Sequence, residues 1–383
     1  MQADVAVVGA GPVGLALARA LRGLQVALVG DAPPACGEAF DARIYAITPG
    51  NAAFLERLGA WQQLPAARVA PVRAMRVFGD DGRAELTFDA YRAGVEALAW
   101  ILEDSALQAA LAGTLGGESR VRALVPDRLE RLELAHDAAR LRLASGRTLQ
   151  ARLVIGADGA ASSVREQAGI PVRRAAYAQR AVVANFACER AHRGTAFQWF
   201  RGGEVLALLP LPGERVSMVW SAGEDAASQL LARSPEALCR AVEEASSHCV
   251  GTLKLESSPR AFPLQRANAE RSVAARVALA GDAAHVLHPL AGQGANLGLQ
   301  DARALAGTLE GREPGRDPGD LRLLRRYARA RAGEVWAMDA TVHGLFRLFS
   351  SPARPAAWLR NAGLNLTGRV PVLRNLLIRQ AVL

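Results

Sequence analysis

Residues 277–302 read VALAGDAAHVLHPLAGQGANLGLQDA, and the fold turns on this stretch. The apolar run at 277–280 has the character of a buried strand and stops at Gly281-Asp282. A turn with His285, His288 and Pro289 follows, then Gly292-Gln293-Gly294. From Ala295 onward Leu297, Leu299, Ala302 and Leu305 recur as on one side of a helix. The pattern predicts a strand with a carboxylate at its tip, a tight loop, and a helix whose first amides face that loop. Such a helix end has unpaired N–H groups and about half a positive charge, which suits a ligand that becomes anionic. Asp282 is an acceptor suited to a chain of sugar-like hydroxyls. A flavin dinucleotide has both features: ribityl hydroxyls, and a ring edge (N1–C2=O) that turns anionic on reduction.

Outward from this stretch, the N-terminus supplies the other half of a dinucleotide site. Residues 5–8 form a short apolar run suited to a buried parallel strand. Gly9-Ala10-Gly11-Pro12-Val13-Gly14 follows, then a helix through Leu15, Leu17, Ala18 and Leu21. In this pattern Gly9 allows the tight turn, Gly11 lets the backbone approach a pyrophosphate, and Gly14 permits close helix–strand packing. The next strand, 25–29, is expected to end in an acid that binds the adenosine ribose. Gly30 stands there instead, and Asp31 comes one residue later. Either Asp31 reaches the ribose from a shifted turn, or backbone and water hold it; Asp31 is the residue carried forward.

GDAAHxxHPxAGQGxNLGLxDA at 281–302 resembles the second flavin motif of the FAD-dependent aromatic-ring monooxygenases (para-hydroxybenzoate hydroxylase-like flavoproteins). Within them it is closest in pattern to the branch that hydroxylates ubiquinone precursors. Residues 154–165, VIGADGAASSVR, match that class's D-G-x-x-S-x-V-R element, and FDARIYAI at 40–47 matches its D-x-R-x-x-A-L/I element. The resemblance places Arg43 beside the flavin and its phosphates, and Gln108 near the phosphate or ribityl, the alternative for Gln108 being a solvated helix face. It gives Asp158 and Gly159 a supporting place at the flavin site, with Ser162 able to cap the next helix. Asp282, Gly294, Ala295 and Asn296 are the expected contacts of the second motif. Pro289, Gly292, Gln293 and Gly294 are the expected catalytic loop, stabilising the reduced ring and shaping the oxygen pocket. His285 and His288 read as loop organisers or bases, with neither assigned.

The resemblance implies an α/β fold in which a glycine-rich, Rossmann-like, three-layer FAD-binding domain is interleaved with an antiparallel-sheet substrate domain. The expected division is 1–72, 98–174 and 270–335 for the FAD domain, and 73–97 with 175–269 for the substrate domain. A helical segment, 336–383, completes the chain. The implied reaction is ring hydroxylation of a polyprenylated phenol or quinone precursor with O2 and NAD(P)H, a transient reductant, through a flavin C4a-hydroperoxide. Trp199, Phe200, Leu208, Pro210 and Trp220 are candidates for an apolar pocket or, equally, for sheet core. Two rivals stay open: a flavin-dependent prenyl reductase on this scaffold, and a non-catalytic flavoprotein subunit of a biosynthetic assembly.

Composition bounds these readings. The chain has 383 residues, half of them hydrophobic, and a net charge of +9. The basic residues are arginines apart from Lys254 and are dispersed among alanine and leucine, which argues against nucleic acid as a partner. Cys36, Cys188, Cys239 and Cys249 lack metal-ligand spacing and read as reduced thiols. The start carries Asp4 and no basic leader, so no secretory signal is expected. The tail at 371–383, PVLRNLLIRQAVL, pairs an apolar face with Arg374 and Arg379. With Arg354, Arg360 and Arg369 it predicts contact with an anionic membrane surface, the alternative being packing on its own domain. The expected location is cytoplasmic, peripheral to the inner face of the membrane, beside other ubiquinone-biosynthesis proteins.

Overall fold

The computed structural model describes residues 1–37, 39–79, 85–287 and 294–350, the last six of these as helical backbone only. Pro289, Gly292, Gln293, His288 and the stretch 351–383, with its five named arginines, lie outside the described residues. The chain opens with β1 (Gln2–Val8), α1 (Pro12–Ala20), β2 (Val26–Val29), β3 (Ile44–Ile47), α2 (Pro49–Leu58), β4 (Val69–Val72) and β5 (Ala74–Phe78). Next come β6 (Glu85–Asp89), α3 (Ala90–Ala93), β7 (Ala99–Glu103), α4 (Asp104–Gly113), β8 (Val121–Leu124), β9 (Leu129–Leu134), β10 (Ala139–Leu143), β11 (Thr148–Gly156) and α5 (Ser163–Gln167). The middle holds β12 (Val172–Cys188), β13 (Thr195–Arg201), β14 (Glu204–Leu211), β15 (Arg215–Gly223), α6 (Glu224–Leu231), α7 (Pro235–Ala245), β16 (Leu253–Leu255) and β17 (Arg260–Ala269). The chain then runs through β18 (Val273–Ala274), β19 (Val277–Leu279), a 3-10 turn (Gly281–Ala283), β20 (His285–Val286), α8 (Gly294–Glu310) and α9 (Leu321–Ser350).

The first sheet has the order β18-β19-β11-β1-β2-β8, parallel from β19 to β8. Its central strands are apolar at consecutive positions because both faces are covered. Val5, Val7, Leu28, Leu153 and Ile155 pack against α1, α4, α8 and α9. Ala6, Val8, Ala27 and Val154 pack under the β9–β10 hairpin and α5. The register aligns Val8 with both Val29 and Gly156, so the tips of β1, β2 and β11 end together. The two glycine motifs therefore leave one edge of one sheet. From α9, Leu323, Leu324 and Tyr327 enter this core, and the helix crosses residue 336 without a break. Further along it, Asp339 is ion-paired with Arg266 of β17.

The second sheet has the order β20-β17-β12-β15-β14-β13-β5-β6 and is antiparallel except for β13–β5. Strand alternation sorts its side chains between two faces. Phe186, Trp199, Leu208, Met218 and Trp220 join Leu230, Leu238 and Val242 of α6 and α7 in one core. Trp199, Leu208 and Trp220 are thus sheet core beneath the helices, and the pocket expected from them is not on that side. Pro210 is buried on the Leu208 face of β14, and Phe200 packs with Val77 and Leu86 on the other face. That other face looks inward: Ala196, Leu209 and Leu211 meet Ile44 and Ala46 of the small sheet β3-β7-β4. Asn185, also inward, donates to the carbonyls of Phe40 and Asp41 at 3.4 and 3.0 Å.

Candidate active site

The first glycine loop is closed by backbone. A Cβ at Gly9, whose φ is +112°, would lie 2.2 Å from the Ala157 carbonyl oxygen, and one at Gly14 would lie 1.7 Å from that of Gly9. Above Gly11 the space is open, with nothing within 4 Å of a Cβ position. Gly11 is also the uncapped N-terminal residue of α1, with Pro12 in its first turn. Open amides beneath free space make a cradle for a pyrophosphate.

The second motif meets the first through Val13. A Cβ at Gly298 of α8 would be 2.6 Å from the Val13 side chain and 3.2 Å from the Gly281 Cα. The α8 N-terminus, the Gly281-Asp282 tip and the α1 N-terminus are therefore pressed together. Gly294 opens α8, and a Cβ there would meet nothing within 4 Å. Asp282 is half-buried in this corner, and burial pushes its pKa up despite the nearby Arg43 and His285. Arg43 lies 3.7 Å from Asp104, with its guanidinium 5.6 Å from the Tyr45 ring centre. The Tyr45 hydroxyl and the Gln108 amide both donate to Asp104, at 3.0 and 2.9 Å. Burial pushes the Tyr45 pKa up, so the phenol stays a donor. The structure thus gathers Gly9, Gly11, Gly14, Arg43, Gln108, Asp282 and Gly294 around one site, with Ala295 in the first turn of α8.

Other expected contacts have different tasks. Asp158 accepts from Ser162, Ser163 and the Val164 amide at 2.5–3.1 Å, which caps α5. Arg165, buried behind it, donates to the Ala283 carbonyl at 2.9 Å and so ties this motif to the second one. Gly159 serves the turn with φ +81°. Asn296 is 0% exposed; its side-chain oxygen accepts from the Thr48 amide and Asn51, and its nitrogen donates to the Ala46 carbonyl. It clamps α8 to β3 and α2. The Asp31 side chain is 73% exposed and paired with Arg128 at 3.0 Å, so it stands turned to a protein partner. Gly30 has a steric reason: a Cβ there would be 2.4 Å from the Ala10 amide nitrogen.

One network was missed in the sequence. Asp301 of α8 is 0% exposed and accepts from the Gly281 amide at 2.9 Å, His285 at 2.6 Å and Arg331 of α9 at 2.7 Å. Burial opposes charge on both partners, yet their pairing prevails, raising His285 and lowering Asp301. The signal was an acid on the apolar stripe, between Leu297 and Leu305 at helical spacing. His285 is thereby a loop organiser. Burial pushes the Cys188 and Cys249 thiols up to about 11, so both stay protonated at neutral pH.

The description "FAD binding domain" belongs to the family model that matches residues 2–341. Ubiquinone hydroxylase UbiL of Rhodospirillum rubrum is 36% identical over 99% of this chain and 89% of its own length. The 3-demethoxyubiquinol 3-hydroxylase of Escherichia coli is 33% identical over 99% of this chain and 98% of its own. Among solved structures, PqsL of Pseudomonas aeruginosa in complex with 2-aminobenzoylacetate superposes with a TM-score of 0.79 at 27% identity, covering 95% of this chain and 99% of that one. The family model over residues 2–341 and the likeness along nearly the whole chain to these hydroxylases place the chain in the FAD-binding-domain family, with FAD as its cofactor.

Proposed function

We propose that this FAD-dependent monooxygenase hydroxylates the aromatic ring of a polyprenylated ubiquinone precursor, using NAD(P)H and O2. The observation that carries the reading is the corner where the Asp282 tip, the α8 N-terminus and the first glycine loop meet, with the inward sheet face over β3 beside it. The hydroxylase relatives support the substrate class. The overall balance is one ring C–H, O2, NAD(P)H and a proton giving ring C–OH, water and NAD(P)+. Bound FAD supplies the electron transfer and the activation of oxygen.

The chain's own residues hold and shelter that chemistry. Gly9, Gly11 and Gly14 with the α1 amides would hold the pyrophosphate, and Arg43 would oppose its charge. Asp282 would accept from ribityl hydroxyls, and the amides at Gly294 and Ala295 would stabilise a flavin ring that becomes anionic. Asp301 fixes the Gly281 amide, and Asp158 with Arg165 holds the turn behind it. The inward face of the second sheet lies against β3, where it would keep water away from the activated oxygen and so limit its loss as hydrogen peroxide. The loop with Pro289, Gly292 and Gln293 is assigned the oxygen pocket on the motif alone. The division into FAD domain (1–72, 98–174, 270–335) and substrate domain (73–97, 175–269) belongs to this proposal, supported by β5 and β6 joining the second sheet.

Peripheral membrane contact through 371–383 is part of the same proposal, because a polyprenylated substrate partitions into the bilayer. Among the described residues no helix is long and apolar enough to cross a membrane. Mass spectrometry of quinone intermediates in a deletion strain tests the function. A prenylated precursor lacking one ring hydroxyl is expected to accumulate; an unchanged intermediate profile with normal quinone content would overturn the assignment.

A further inference from the structure

The outer side of α9 carries a pattern that the flavin site does not use. Leu323, Leu324, Tyr327 and Arg331 turn inward, the first three into the core and Arg331 onto Asp301. On the opposite side Arg322, Arg325, Arg329 and Trp336 are exposed. At 3.6 residues per turn these four fall within about 60° of one another, along about 21 Å of helix. Trp336 is 73% exposed, and its neighbours on that side, Ala332, Gly333, Ala337 and Ala340, are exposed and too short to shield the ring. Among the described residues Arg322, Arg325 and Arg329 have no ion-pair partner, and Arg326 beside them takes up Glu313. The acids of the helix, Glu334 and Asp339, are paired with Arg331 and Arg266. The row is therefore cationic at one end and aromatic at the other, with no acid left to neutralise it.

Because the packed side of the helix is fixed in the core, the outer row keeps one orientation toward whatever it meets. Three guanidiniums in line with an indole suit the headgroup level of a bilayer. The cations attract anionic lipid, and the amphipathic ring settles at the boundary between headgroup and acyl chain. We propose that the face of α9 from Arg322 to Trp336 is a docking surface for an anionic bilayer, separate from the segment at 371–383. The inference rests on the proposed prenylated substrate, which the enzyme must collect from the lipid phase. The helix lies on the surface and does not enter it as a span, in keeping with its lack of a long apolar stretch among the described residues.

The test uses the full-length, FAD-loaded protein and vesicles of phosphatidylcholine with or without phosphatidylglycerol, read by flotation and by the shift of tryptophan emission. Wild type is expected to float with the phosphatidylglycerol vesicles, and less so as salt is raised. Each of Arg322→Gln, Arg325→Gln and Arg329→Gln is expected to lower the partition coefficient about fivefold, and the triple variant about a hundredfold. Trp336→Ala is expected to bind more weakly and to lose the blue shift of emission on binding. Since all four side chains are exposed, melting temperature, FAD affinity and turnover of a soluble short-chain prenylated phenol are expected to match wild type. If the folded triple variant and the folded Trp336→Ala variant partition like wild type, the α9 face is overturned while the hydroxylase reading stands. If wild type floats with neither kind of vesicle, membrane docking is overturned and the row is left to an acidic protein partner. Hydroxylation of the short-chain phenol, measured in the same preparations, reports separately on the enzyme reading.

Discussion

Asp282 is held in its corner at a cost to the apo-protein. Burial raises its pKa, so the charged form is disfavoured in the folded state, and the associated stability is present below about pH 4 and falls as pH rises through the raised value. Asp282→Asn is therefore expected to raise the apo melting temperature by about 2 °C at pH 7, with the gain vanishing at acid pH. The same change is expected to weaken FAD binding tenfold or more, since a carboxylate accepting from ribityl hydroxyls is replaced by an amide. Calorimetry at two pH values and a fluorescence titration of FAD check both halves. Asp31 is the opposite case. Exposed and paired with Arg128, it has little leverage, and Asp31→Ala is expected to shift the FAD dissociation constant by less than about fivefold. Gly30 was visible in the sequence as a departure, but its cause, the Ala10 amide 2.4 Å from a Cβ position, exists only in the fold.

Among the elements, α8 is the one on which the site depends, and its two glycines make different predictions. Gly294 faces open space, so Gly294→Val is expected to fold with an unchanged melting temperature while losing hydroxylation through occlusion of the ring's place. Gly298→Val would collide with Val13 and Gly281, and is expected to destabilise by about 1–3 kcal/mol or more. Equal melting temperatures for the two variants would refute this account of the α1–α8 contact. The His285–Asp301–Arg331 network adds a pH dependence. The raised His285 contributes stability that is present below about pH 6.5 and is lost as pH rises through its folded value. The lowered Asp301 contributes above about pH 4, and that is lost as pH falls through its folded value. Urea midpoints of wild type are expected to drop from pH 6 to pH 9, and those of His285→Gln to change much less. The sequence shows Asp301 as an acid on an apolar stripe but not its partners, because Arg331 belongs to another helix and nothing local announces which acid it meets.

At the scale of the whole molecule, short-range patterns were legible and long-range pairings were not. Residues 277–280 read as a strand and form β19 over Val277–Leu279, and α7 spans Pro235–Ala245. Both depend on local chemistry: an apolar run ending at Gly-Asp, and Ser234 capping a helix with Pro235 in its first turn. β12 runs from Val172 to Cys188, and its first half is largely exposed, with no apolar period to announce it in the sequence. Trp199 and Trp220 could be assigned to a core or a pocket only once α6 and α7 were seen to cover their face. α9 is fastened by Tyr327 near its start and by the Asp339–Arg266 pair further along, so deletion of 369–383 is expected to leave FAD binding intact and reduce flotation with anionic liposomes. Loss of flavin on truncation, or unchanged flotation, would reject the membrane role.

The central claim is that the chain uses FAD to place one atom of O2 on a prenylated ring. The direct measurement supplies FAD-loaded protein with NADPH, a prenylated phenol and oxygen-18 gas, and follows product mass against NADPH consumed. The account predicts a hydroxylated product carrying a single oxygen-18 atom, formed at close to one per NADPH. A product without the label, a reduced prenyl chain, or NADPH consumed only to hydrogen peroxide would contradict it.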